Sequence, residues 1–290
     1  MLGTELRCHG LPADLGAEVG QLLRGFPSAD GDPAALELVW EGFAAASSPS
    51  SSNDAVRPER PVLADSRGER WALDPEVAFA SQVEYRVISD ALRAARNRYI
   101  LHAGAVAGVA GASGAGGTCL LIGDSGVGKT SLTLWLWSSG LRLATDDLCT
   151  LDATTLEPEV FPRALHFDGV YAPELLARIP PRPADYPADY YPFPGRPGVP
   201  QPPLPPITGL LVLERGPRPE GEVEPLTRAE AAHHLLRAVI KGEQFRFDRA
   251  LSDMLRLSER FPAFRLKSAT PEGAAAQALA TLGRLGITPA

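Results

Sequence analysis

The stretch TCLLIGDSGVGKT, residues 118–130, sets a short apolar run directly in front of a glycine-rich turn. Gly123, Asp124, Ser125, Gly126, Val127, Gly128, Lys129 and Thr130 fit the pattern G-x-x-x-x-G-K-[ST] at every fixed position. In that pattern glycines let backbone N–H groups turn inward on phosphate oxygens, and the loop feeds a helix whose positive end faces the same anion. The spacing predicts a nucleoside triphosphate site, with Lys129 reaching the β- and γ-phosphates and Thr130 ligating Mg²⁺.

The flanking sequence extends this into an α/β fold. KTSLTLWLWSSG (129–140) reads as a helix closed by Gly140, and LRLATDDLCTL (141–151) as the next strand, a parallel βαβ unit. Trp135 and Trp137 on that helix read as packing residues against the sheet. Ahead of the loop, YILHAGAVAGVAG (99–111) followed by GASGAGG reads as the first arm of a β-hairpin. Downstream, ITGLLVLERG (207–216) is a strand, and EVEPLT (222–227) runs into a helix whose capping box pairs Thr227 with Glu230. A helix over 244–260, the strand AFRLKS (263–268) and a terminal helix from Pro271 follow.

Two domains are expected. Residues 1–80 form a small α+β module: a helix over 12–26, a strand at 35–40 and two short strands within 62–73, interrupted by a Ser- and Pro-rich loop over 44–58. Residues 81–290 form the nucleotide domain, entered by a helix over 78–97 with Val83, Val87, Ile88, Ala91, Leu92 and Ala95 on one face. Residues 173–206 are too proline-dense for regular structure and read as a polyproline-like excursion, either an active-site lid or an exposed decoration.

A formal charge of −7 over 290 residues argues against an electrostatic grip on nucleic acid or on an anionic membrane. A basic or neutral peptide, or a small molecule, suits the chain better. Cys8, Cys119 and Cys149 are odd in number, widely spaced and set among apolar neighbours, so they read as buried thiols. The first ten residues lack a signal peptide's basic start and apolar core, and no segment has the length and apolarity of a membrane span, so the expected location is the cytoplasm.

Asp146 and Asp147 close the strand after the phosphate-loop helix, where an α/β sheet presents its carboxyl edge to a ligand. Mg²⁺ requires hard oxygen ligands, and an acceptor hydroxyl requires a group to take its proton. His102 opens a strand nearby, a position that is more often structural. His166 and the His233-His234 pair have no carboxylate spacing that makes a metal site.

The order of His102-Ala103-Gly104-Ala105-Val106, then LLIGDSGVGKT, then LRLATDD over residues 99–151 resembles the catalytic domain of HPr kinase/phosphorylase and its shorter relatives. The resemblance implies a fold similar to the nucleotide domain of ATP-dependent phosphoenolpyruvate carboxykinase, ATP with Mg²⁺ as phosphoryl donor, and a serine hydroxyl as acceptor. It further implies Asp146 as general base, Asp147 as a metal or structural partner, His102 as a polar group near the γ-phosphate, and Arg196 in PFPGRPG as an arginine finger. HPr kinases carry an E-x-R-G-x-G-I stretch after the aspartates, whereas residues 156–170 here read LEPEVFPRALHFDGV. Action on HPr and the reverse phosphorylase reaction are therefore not implied. The relatives it looks like modify other targets, among them kinases of the C-terminal serine of lasso-type precursor peptides. The expected partner is a peptide or small protein bearing Ser or Thr; HPr kinases are hexameric, so a homo-oligomer is compatible. A nucleotide-dependent switch or assembly ATPase, and a small-molecule kinase, stand as alternatives.

Overall fold

In the computed structural model the described residues are 4–9, 17, 34–44, 60–65, 70–74, 82–86, 88, 97–108, 116–166, 173–184, 186, 190–194, 202–241 and 245–289. The protein is a mixed α/β structure. Its central element is a six-stranded sheet ordered β14 (Glu222–Pro225), β15 (Ala263–Ser268), β13 (Ile207–Arg215), β7 (Thr118–Ile122), β6 (Gly104–Ala107), β8 (Arg142–Thr145). β13 pairs parallel with both β7 and β15, while β14 and β6 run antiparallel to their neighbours. Every residue of β7 is buried, as its unbroken apolar run requires of a strand covered on both faces.

Alternation along the strands sorts two cores. Cys119, Leu121, Leu211 and Leu213 face α1 (Lys129–Ser138) and α5 (Pro271–Arg284) through Leu132, Leu136, Ala278 and Leu282. Leu120, Ile122, Leu210 and Val212 face α3 (Arg228–Ala238) and α4 (Phe247–Ser258) through Leu235, Met254 and Leu257. A second sheet, β10 (Pro158–Glu159), β9 (Leu148–Asp152) and β5 (Arg98–His102), closes this side with Leu101 and Leu151. Tyr99 on β5 donates its hydroxyl to Asp253 Oδ2 of α4 at 2.5 Å. Burial pushes the Tyr99 phenol up to about 12, and the bond to Asp253 adds to this.

α1 ends in a Schellman turn. Gly140 takes φ 95°, its N–H donates to Trp137 O at 2.9 Å, and Leu141 N–H donates to Leu136 O at 3.2 Å. β8 then runs in the same direction as β7, with β6 inserted between them. The expected βαβ unit is thus present, but its two parallel strands are not adjacent.

Two expected strands are broken. Residues 141–151 do not form one strand: β8 lies in the six-stranded sheet and β9 in the three-stranded one, with Asp146 and Asp147 at the break. The run 99–111 breaks in the same place, at Ala103 between β5 and β6. The two chains cross together, His102 opposite Leu148 and Ala105 opposite Thr145, joined at the corner by Ala103 N–H donating to Asp147 O at 2.8 Å. A two-stranded ribbon therefore leaves one sheet for the other at the aspartates. The sequence marks this corner only by the Asp146-Asp147 pair that interrupts LRLATDDLCTL, and a polar pair does not tell a change of sheet from a strand end.

The proline-rich stretch contains more regular structure than expected. α2 (Pro173–Leu176) is a short helix, and β12 (Tyr190–Tyr191) pairs antiparallel with β11 (Leu165–His166). Leu175, Ile179 and Tyr191 are buried in the core with Trp135. The Arg178 guanidinium lies 4.8 Å from the Trp135 ring centroid, and Trp137 meets Tyr191 edge-on at 6.0 Å. Both tryptophans pack as expected, and they do so against this segment as well. Pro205 O and Pro206 O accept bonds from Thr118, and Pro202 and Pro203 carbonyls accept from Arg142. These parts of the segment are therefore anchored to the sheet, while residues 185, 187–189 and 195–201, on which the choice between lid and decoration turns, lie outside the described residues.

Near the N-terminus, β1 (Thr4–His9), β2 (Ala34–Ala44), β3 (Arg60–Asp65) and β4 (Arg70–Ala72) form a four-stranded sheet in sequence order, β1 parallel to β2 and the rest antiparallel. β1 escaped the sequence reading. The expected helix over 12–26 lies outside the described residues except for the helical Ala17, and of the helix over 78–97 residues 82–86 and 88 are helical.

The capping box on α3 is present: Glu230 N–H donates to Thr227 Oγ1 at 3.3 Å, and Thr227 N–H donates to Glu230 Oε2 at 2.8 Å. Thr227→Ala removes the two bonds of Oγ1, the one accepted from Glu230 N–H and the one donated to Glu230 Oε2 at 2.7 Å, so it is expected to lower stability by about 1 kcal/mol in a urea titration. An unchanged midpoint would mean that water replaces the cap at no cost.

Candidate active site

The glycine-rich loop Gly123–Gly128 spans the gap between β7 and α1. Gly126 and Gly128 take φ of 73° and 102°, and a Cβ built on either meets no atom within 4 Å. The backbone needs glycine there for its conformation, and the space above the loop is open. Asp124 O accepts from Val127 N–H at 3.3 Å, closing the turn, and Gly128 O accepts the first helical bond, from Leu132 N–H at 2.9 Å. Asp124 and Ser125 are exposed.

Lys129 folds back over its own loop. Its Nζ donates to Gly123 O at 2.9 Å and Asp124 O at 3.1 Å, and the residue is only 6% exposed. Burial lowers its pKa, opposed by the charges of Asp147, Asp124 and Asp146. Thr130, one residue on, sits beside Asp146, where its hydroxyl favours the ionised carboxyl. The helix start and the corner between sheets thus bring Lys129, Thr130 and both aspartates to one place.

The two aspartates differ. Asp146 is 4% exposed; burial pushes its carboxyl up to about 7, with Arg163 and the Thr130 bond opposing and Asp147 adding to the rise. Asp147 is held on both oxygens, Oδ1 by His102 Nε2 at 2.9 Å and Oδ2 by Arg163 Nη1 at 2.9 Å. Burial alone would raise Asp147, but the His102 bond and the nearby Arg163 and Lys129 charges outweigh it and hold the carboxyl below its usual range. Arg163 also reaches Glu84, Nε to Oε1 at 3.2 Å, and Glu84 is 1% exposed. For Arg163, burial is outweighed by Glu84, Asp146 and Asp147, so its pKa is raised.

The buried carboxyl has a consequence for stability. Between 3.8 and about 7 the native state keeps a proton on Asp146 that the unfolded chain has lost. Stability from this group is therefore full below the unfolded value and falls as pH rises through the native one, about 1.4 kcal/mol per pH unit. Asp146→Asn removes the dependence, so its stability relative to wild type in urea titrations is expected to rise by about 3 kcal/mol from about pH 5 to about pH 8. An identical difference at both pH values would contradict the burial of this charge.

Two further arginines flank the loop. Arg215, the last residue of β13, donates to Gly126 O at 3.1 Å, and Arg237 in the last turn of α3 lies 3.5 Å from Asp124 Oδ1. Arg196 lies outside the described residues. His233 and His234 stack edge-on to one another on α3, and among the described residues no group of His, Cys, Asp or Glu has the arrangement of a metal cage. Cys119 and Cys149 are free buried thiols, each pushed up to about 12 by burial.

No protein-family model matches the chain, and no curated protein matches it either. The residues themselves must carry the functional reading. The sequence reading brought Lys129, Thr130, Asp146, Asp147 and His102 together, and they are together. It missed Glu84, Arg163, Arg215 and Arg237. Glu84 did carry a signal: it lies on the apolar stripe of Val87, Ile88, Ala91 and Ala95, where a carboxylate must be buried and so must have a partner. Arg163 carries none, since it is one arginine in an irregular segment.

Among the described residues no helix is long and apolar enough to cross a membrane.

Proposed function

We propose that the protein is an ATP-dependent kinase that transfers the γ-phosphoryl group to a serine or threonine hydroxyl of a peptide or small protein, and that its six-stranded sheet is a phosphate-loop nucleotide domain of the kind found in HPr kinase. The observation that carries this reading is the gathering of Thr130, Asp146 and Asp147 around the buried Lys129. A phosphate-loop hydroxyl, a phosphate-loop lysine and a carboxylate at the adjoining strand end are what phosphoryl transfer from a triphosphate requires. The acceptor class comes from the resemblance of residues 99–151 to the HPr kinase group.

Lys129 exchanges its two carbonyl partners for oxygens of the β- and γ-phosphates. The loop's N–H groups and the N-terminus of α1 face the same anion. The donor set suits Mg²⁺: Thr130 and Asp147 offer hard oxygens, each Asp147 oxygen keeping a lone pair beyond its bond to His102 or Arg163, and the ion when bound would neutralise charge on the β,γ-phosphates. Asp146 takes the proton of the acceptor hydroxyl. The acceptor oxygen forms its bond to the γ-phosphorus as the bond from that phosphorus to the β,γ-bridging oxygen breaks, and ADP leaves with the electron pair. His102 and Arg163 hold Asp147 beside this centre.

The test is a coupled assay of ADP release with and without a pool of serine- and threonine-containing peptides. A kinase releases ADP in step with peptide phosphorylation. Release that is indifferent to the pool would sink the peptide-kinase reading in favour of an ATPase.

A further inference from the structure

Glu84 belongs to the helical residues 82–86, which precede the six-stranded sheet in the chain, yet its carboxylate ends in the candidate active site. A buried carboxylate is tolerated only with a partner of good geometry. Arg163 is that partner, 3.2 Å away, and its guanidinium is held at both ends: Nε on Glu84, Nη1 on Asp147 at 2.9 Å. Its planar fork fixes the direction of both bonds, which a lysine could not do. Asp147 is in turn fixed by His102 on its other oxygen and, through its backbone carbonyl, by Ala103 N–H at 2.8 Å. This is the point where the ribbon changes sheets, so the Asp147 side chain pins the backbone that carries Asp146. The next residues tie the helix to the N-terminal sheet: the Arg86 guanidinium lies 3.4 Å from the ring centroid of Trp71 on β4.

We propose that Arg163 is a positioning residue for the aspartate pair and that Glu84 aims it, so that the segment ahead of the nucleotide sheet supplies part of the site. The inference rests on the kinase reading for its effect on rate, and on geometry alone for its effect on His102 and Asp147.

Arg163→Gln, Arg163→Lys, Glu84→Gln and Glu84→Asp in the full chain test it, with circular dichroism to verify folding. Arg163→Gln is expected to lower kcat about 100-fold with less than about a threefold change in KM for ATP, the scale of a misplaced catalytic group. Arg163→Lys should recover about tenfold by keeping the charge. Glu84→Gln should lower kcat in the same way, and adding it to Arg163→Gln should cost little more, because both act through one contact. If Glu84→Gln does not fold, Glu84→Asp gives the same direction with a smaller loss. Histidine-ring NMR provides the readout free of activity: the His102 signals should shift in both Gln variants and return toward wild type in Arg163→Lys. Gln variants that transfer at the wild-type rate, or His102 signals that move in neither, would overturn the inference. If the wild type transfers no phosphate at all, the kinase reading fails by itself and the NMR result still decides this one.

Discussion

Asp146→Asn is expected to bind ATP with nearly wild-type affinity and to transfer its γ-phosphoryl group about 10² to 10⁴ times more slowly, the usual contribution of a general base. Asn has almost the shape of Asp, and its carbonyl oxygen still offers the neighbouring Thr130 hydroxyl an acceptor. The corner between β8 and β9 is held by backbone pairing with β5 and β6, so the substitution leaves its geometry intact. What it removes is the capacity to take a proton. Steady-state transfer kinetics beside calorimetric ATP titration separate the two effects. Transfer at the wild-type rate would show that Asp146 is not the base.

Lys129→Ala is expected to lose transfer to background and to weaken ATP binding about 10- to 100-fold, the scale of one or two charge-assisted bonds. The side chain is buried against the loop, where burial already lowers its pKa, so its charge is held in place at a desolvation cost that an anionic ligand offsets. Truncation also strips the Gly123 and Asp124 carbonyls of their common partner. Lys129→Arg is not a rescue, because a forked guanidinium does not fit where one ammonium meets two carbonyls. Unchanged ATP affinity in Lys129→Ala would mean that the loop does not hold the triphosphate.

The site was legible where its chemistry is local in sequence. Gly123 to Thr130 form one loop and helix start, and Asp146 and Asp147 sit one crossover later, so motif and spacing suffice to bring them together. The corner at Ala103 and Asp146 was legible only as an interruption by two aspartates, because such an interruption does not tell a strand that ends from one that passes to another sheet and changes partners. The aspartates' unlike environments depend on that corner: one is buried beside Thr130, the other is bonded to His102 and Arg163. The Glu84–Arg163 pair joins positions 79 residues apart through an irregular segment, and only half of it left a trace, as a charge on an apolar stripe. In the proline-rich segment, composition argued against any regular structure, yet α2 and β12 form there. It could not show that Tyr191 and Ile179 would be buried beside Trp135.

Phosphoryl transfer itself is tested most directly by mass spectrometry of a serine- and threonine-containing peptide pool incubated with the protein, Mg²⁺ and ATP carrying heavy oxygen in its γ-phosphoryl group, beside Lys129→Ala and Asp146→Asn. A kinase of this kind yields a peptide adduct bearing the labelled phosphoryl group with wild type, and with neither variant above a trace. Labelled inorganic phosphate with unmodified peptide, while ATP binding is intact, would contradict a peptide kinase and leave an ATPase in its place.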